Sequence, residues 1–119
     1  MSISVLAVED NAGILGMLCL ILESLGFEKI DAAPSADEAM QMLDAGLTPD
    51  LVISDIRMEG TMDGHGLAQW LKQQHPRIRI LLTTGYTSVE VTDFPVLRKP
   101  YSLSRLNAEL ENLKCLPAE

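Results

Sequence analysis

Five short apolar runs, separated by segments with helical spacing or by polar loops, constrain this chain more than any other feature. SISVLAV (residues 2–8), KIDAA (29–33), LVIS (51–54), IRILLT (78–83) and FPVLR (94–98) are strand-length and rich in branched side chains. Strands joined through helices lie parallel in one sheet, so the alternation predicts an α/β fold. The run at 51–54 is apolar without alternation, the pattern of a strand buried on both faces.

Between the runs, residues 12–25 place Ile14, Leu15, Leu18, Ile21, Leu22 and Leu25 at helical spacing, with Gly26 where a C-terminal cap belongs. Ser35-Ala36-Asp37-Glu38 reads as a capping box opening a second helix that runs through Leu43 and closes near Gly46. Leu67, Ala68, Trp70 and Leu71 mark a third helix ending before His75-Pro76. Ser102 caps a last one, with Leu103, Leu106, Leu110 and Leu113 as its buried face. Only residues 85–94 remain between the fourth and fifth strands. Their β-branched stretch Thr87-Ser88-Val89-Glu90-Val91-Thr92 disfavours a helix, so a single turn or an irregular loop is expected.

In an open parallel sheet the carboxyl ends of the strands form one rim, where ligands bind. Glu9-Asp10, Asp55, Thr84-Gly85 and Lys99-Pro100 all sit at such ends. Taken alone, each is ordinary: Asp55 reads as a turn cap, the acidic pair as solvated, Thr84 as a strand residue and Lys99 as a surface lysine. Four together in this order outline a Mg²⁺-dependent phosphoryl site. A carboxylate held by a rigid strand can attack phosphorus, and the acyl phosphate so formed is labile. Three carboxylates, one Mg²⁺ and Lys99 sum to zero charge, leaving room for a dianionic phosphoryl group. The expected direct ligands are Asp10, Asp55 and the backbone carbonyl of Arg57, with Glu9 acting through water. Thr84 and Lys99 would bind phosphoryl oxygens, and a cis peptide before Pro100 would aim the lysine inward.

Composition narrows the classes. The 119 residues, 47% hydrophobic and 22% charged, make one domain with a single core and no separate output domain within it. A formal net charge of −8 argues against nucleic-acid binding. Cys19 and Cys115 lack pairing or metal-like spacing and read as free thiols. No apolar run approaches the ~18 residues of a membrane span, and the start of the chain lacks signal-peptide character, so a cytoplasmic protein with no membrane partner is expected.

Over essentially its whole length the chain resembles the receiver domain of two-component response regulators. The matching stretches are LAVEDN, LVISDIRM, MDGHGL with Gly64, LLTTGY and VLRKPY. The resemblance implies a flavodoxin-like doubly wound five-stranded parallel sheet of order 2-1-3-4-5, with the fourth helix short or missing. It implies Asp55 as phosphoacceptor, Glu9 and Asp10 as the Mg²⁺ pair, and Thr84 and Lys99 as switch residues. The implied partners are a histidine kinase or phosphotransfer protein and a downstream protein target.

The chain departs from the pattern in three places. Met58-Glu59 stands where receivers usually carry proline, in a loop one residue longer than usual. Val96 stands where many carry an aromatic switch residue, leaving Tyr86 or Tyr101 as candidates for a different relay. The short fourth connection resembles a receiver subgroup with a Thr-Gly-Tyr stretch and a reduced fourth helix. Competing classes fit less well. A phosphatase of the haloacid dehalogenase type needs an aspartate where Arg57 stands, and a flavodoxin-like electron carrier needs a phosphate loop where Glu9-Asp10 would repel FMN. A phosphate sink, a relay intermediate and a constitutive docking module remain as alternative roles for the same domain.

Overall fold

The computed structural model describes residues 3–58, 60, 62–85 and 93–117. Its elements are β1 (Ser4–Val8), α1 (Ala12–Ser24), β2 (Lys29–Ala33), α2 (Ala36–Asp44), β3 (Leu51–Asp55), α3 (Gly64–Gln74), β4 (Arg79–Thr84), β5 (Val96–Arg98) and α4 (Leu103–Asn112). All neighbouring strands pair in parallel, in the order β2-β1-β3-β4-β5. The flavodoxin-like order anticipated above is therefore present. The described residues carry four helices, and the stretch 86–92, with the expected turn or loop in the fourth connection, lies outside them.

Strand periodicity sorts the core into two layers. Leu6, Val8, Val52 and Leu82 face one side and pack with Leu67 and Leu71 of α3 and Ala39 and Leu43 of α2. Val5, Ala7, Ile53 and Leu81 face the other, against Leu18 and Leu22 of α1 and Leu106 and Leu110 of α4. The register explains the sorting: Leu6 lies beside Val52 and Val52 beside Ile80, so same-face residues align across three strands. Central β3 is buried on both faces, as its unbroken apolar run requires. Truncating Ile53, fully buried there, is expected to cost about 2–5 kcal/mol.

Helix ends follow local chemistry. The Ser35 hydroxyl accepts from the Glu38 amide and the Ser102 hydroxyl from the Arg105 amide, both at the anticipated caps. Gly26, just past α1, has φ +98°, the left-handed conformation that a C-terminal cap needs. Two apolar faces differ from expectation. Ile14 and Leu103 are exposed, because α1 and α4 each lie against the sheet through a narrow stripe (Leu18 and Leu22; Leu106 and Leu110). Cys115 is instead buried in the second core layer, since the chain after α4 turns back onto the sheet.

Candidate functional site

β1 and β3 are adjacent central strands, so their carboxyl ends deliver Glu9-Asp10 and Asp55 to one place. One oxygen from each of the three carboxylates lies within 4.8 Å of the others. β5 ends at Arg98, and Lys99 reaches back over the rim: its Nζ stands 2.5 Å from Glu9 Oε1 and 3.4 Å from Asp55 Oδ2. The Lys99-Pro100 peptide is cis, as anticipated. Glu9, Asp10, Asn11, Ile14, Asp55, Arg57, Gly85 and Lys99 line a shared cleft. Six of these eight, all but Asn11 and Ile14, are candidates from the strand-end stretches of the sequence.

Glu9 is buried, with both carboxylate oxygens engaged: Oε1 by Lys99 and Oε2 by the Asn11 amide at 3.3 Å. Asp10 is exposed at the mouth. Burial pushes the Asp55 carboxyl up to about 6; the Lys99 ammonium opposes that rise, while Glu9 and Asp10 add to it. Clustered acids around one lysine carry excess negative charge, and an oxygen-rich pocket of that kind suits a hard divalent cation. Burial, Glu9 and Asp55 likewise push the Tyr101 phenol up to about 12.

Thr84 ends β4 and is buried, and its carbonyl accepts from the Lys99 amide at 2.7 Å, tying β4 to the lysine-bearing turn. Among the described residues lining the cleft is Gly85, not Thr84. Of the two tyrosines singled out, Tyr86 lies outside the described residues, whereas Tyr101 packs on the second core layer beside Lys99 and Pro100.

Two contributors went unnoticed in the sequence. Asn11 caps α1, its side-chain oxygen accepting from the Ile14 amide at 3.0 Å, while its own amide holds Glu9. Asp63 caps α3 by accepting from the Gly66 amide at 2.8 Å, which fixes the far end of the loop after Asp55. An Asx residue just before a helical period signals both.

The sequence model of the response regulator receiver domain matches residues 5–111. The chain belongs to the response regulator receiver family. This receiver is 28% identical over 114 residues to the nitrogen assimilation regulatory protein NtrX of Azorhizobium caulinodans, covering 89% of this chain and 25% of that protein. It is 31% identical over 111 residues to the DNA-binding transcriptional regulator NtrC of Escherichia coli K12, covering 87% of this chain and 23% of the relative. The receiver thus spans about a quarter of the length of these curated relatives. Among solved structures, a response regulator receiver protein from Sinorhizobium medicae superposes with TM-score 0.84 at 26% identity, covering 94% of each chain. Among the described residues of the receiver, no helix is long and apolar enough to cross a membrane.

Proposed function

We propose that this receiver takes a phosphoryl group onto Asp55 from a phosphohistidine protein, in the presence of Mg²⁺, and thereby changes a partner-binding surface. The observation that carries the reading is the meeting of Glu9, Asp10, Asp55 and Lys99 at one rim of the sheet. In the transfer, an Asp55 carboxylate oxygen forms the new O–P bond while the N–P bond to imidazole breaks, and the departing ring nitrogen takes a proton. Lys99, 3.4 Å from Asp55, is placed to bind a phosphoryl oxygen once it leaves Glu9. Thr84, one residue before the cleft-lining Gly85, would donate its hydroxyl to another as that loop draws in.

Asp10, Asp55 and the carbonyl of Arg57 would hold Mg²⁺, which screens the anionic groups as they approach. Both Glu9 oxygens already have partners, which supports its acting on the ion through water. The phosphohistidine partner would rest on α1. Ile14 and Met17 are exposed there and, with Leu18, Ile21, Pro100 and Tyr101, line an apolar groove that shares Ile14, Gly85 and Lys99 with the acidic cleft. A donor seated on that face would bring its imidazole over Asp55.

Incubation with acetyl phosphate and Mg²⁺ tests the reading by intact-protein mass spectrometry. One added phosphoryl group is expected on the wild type and none on Asp55→Asn. Equal uptake by the variant would remove Asp55 as acceptor.

A further inference from the structure

Ser54 is 1% exposed in the middle of the core, immediately before the proposed phosphoacceptor, and it is one of few buried hydroxyls in the described residues. Strand parity turns it to the α3 side of the sheet, beside Val8 and Leu82. There its Oγ donates to the Asp55 carbonyl oxygen at 3.0 Å. Beside both the hydroxyl and that carbonyl stands Gly64, the first residue of α3. A Cβ on Gly64 would come within 1.9 Å of the Asp55 oxygen, 2.8 Å of its carbonyl carbon and 2.9 Å of Ser54 Oγ. Even a methyl group cannot enter this space without moving the Asp55 peptide or the helix.

The same corner is stitched from two other directions. The Gly64 amide donates to the Ile56 carbonyl at 2.8 Å, and the Ile56 amide to the Thr83 carbonyl at 2.9 Å. The Asp55–Ile56 backbone is therefore gripped by β4 on one side, by α3 on another and by the Ser54 hydroxyl between them. Arg57, whose carbonyl faces the cation in the reading above, is the next residue along. The Asp55 side chain meets the Lys99 ammonium at 3.4 Å, and the backbone beneath it sets the direction from which its carboxylate enters the cleft.

We infer that the Ser54 hydroxyl and the bare Cα of Gly64 form a clamp that sets the pose of the Asp55 carboxylate and the Arg57 carbonyl, making Ser54 and Gly64 positioning residues for phosphoryl transfer. The inference rests on the proposed role of Asp55 and adds to it the device that orients the acceptor. A small misplacement of reacting groups is enough to slow a reaction severalfold to a hundredfold, so the clamp is expected to act on cation affinity and transfer rate beyond its contribution to stability.

Three variants separate the two effects: Ser54→Ala, Gly64→Ala and, as a control, Ala68→Gly on the buried face of α3, outside the clamp. Mg²⁺ affinity is read by calorimetry, uptake from acetyl phosphate by mass spectrometry, and thermal stability by circular dichroism. Ser54→Ala is expected to weaken Mg²⁺ binding and slow uptake by about fivefold, the scale of one hydrogen bond. Gly64→Ala is expected to do so by roughly tenfold or more. Ala68→Gly should lower the melting temperature while leaving affinity and rate within about twofold of wild type. Should Gly64→Ala fail to fold, Ser54→Ala carries the test alone. Wild-type affinity and rate in Ser54→Ala would overturn the clamp, as would losses that track melting temperature across all variants. A wild type that neither binds Mg²⁺ nor gains a phosphoryl group would instead overturn the underlying reading.

Discussion

Asp50 and Asp55 bracket the same strand and have opposite situations. Asp50, at the amino end, is exposed, and its carboxylate accepts from the Ser4 amide at 2.8 Å and the Ser4 hydroxyl at 3.3 Å. Its backbone completes the corner by taking the Arg79 amide and giving its own to Ser4. Asp55, at the carboxyl end, is mostly buried, shares its surroundings with Glu9 and Asp10, and meets one ammonium at 3.4 Å. One aspartate is satisfied by neutral donors and finishes a turn. The other is left crowded with like charge, an arrangement that suits a hard cation. Residue type is the same at both ends, so the difference lies in what the neighbouring strands bring.

The largest effect should come from exchanging the two positions as targets. Asp55→Asn is expected to abolish uptake from acetyl phosphate, and chelation of Mg²⁺ should do the same to wild type. Asp50→Ala should keep full uptake while losing about 1–2 kcal/mol in urea denaturation, the cost of its hydrogen bonds to Ser4. Uptake lost in both variants would erase the contrast. Next in size is Lys99→Ala. Without the ammonium, charge building on the phosphoryl oxygens goes unanswered, and the initial rate of uptake should fall by about a hundredfold.

The contrast also has a pH signature. The folded protein holds a proton on Asp55 more tightly than the unfolded chain does, since burial raises that carboxyl from 3.8 to about 6. The associated stability is complete below about pH 4 and is lost as pH rises through about 6. Asp55→Asn, which cannot ionise, should then be more stable than wild type at pH 7.5 in chelator, by up to about 3 kcal/mol, with the advantage vanishing near pH 4. Chemical denaturation at the two pH values measures it, and a pH-independent difference would refute the burial argument. The smallest effect concerns only the approach of a donor. Met17→Glu places a charge on the exposed face of α1, away from the acids, so transfer from a phosphorylated histidine kinase should slow about tenfold while uptake from acetyl phosphate is unchanged.

Much of this molecule is legible along the chain because its signals are local. The apolar run at Leu51–Asp55, the cap at Ser35, the cap at Ser102 and the left-handed Gly26 each depend on a few consecutive residues. The acids and the lysine were legible too, since each ends a recognisable strand. Legibility failed where a residue's role depends on distant neighbours. Ile14 and Leu103 fit an apolar period yet are exposed, because α1 and α4 meet the sheet only through narrow stripes. Cys115 reads along the chain only as a free thiol, and its burial depends on the chain after α4 folding back.

The order of apolar and polar segments was sufficient to determine a parallel α/β sheet and to put the five candidate side chains at strand ends, because periodicity and strand direction are properties of the chain itself. Tertiary structure alone decided that Lys99 sits nearer Glu9 than Asp55, that Gly85 rather than Thr84 lines the cleft, and that Ser54 and Gly64 grip the Asp55 peptide. Those facts come from how closely separate elements approach, a matter of ångströms set by packing, and no spacing along the sequence encodes them.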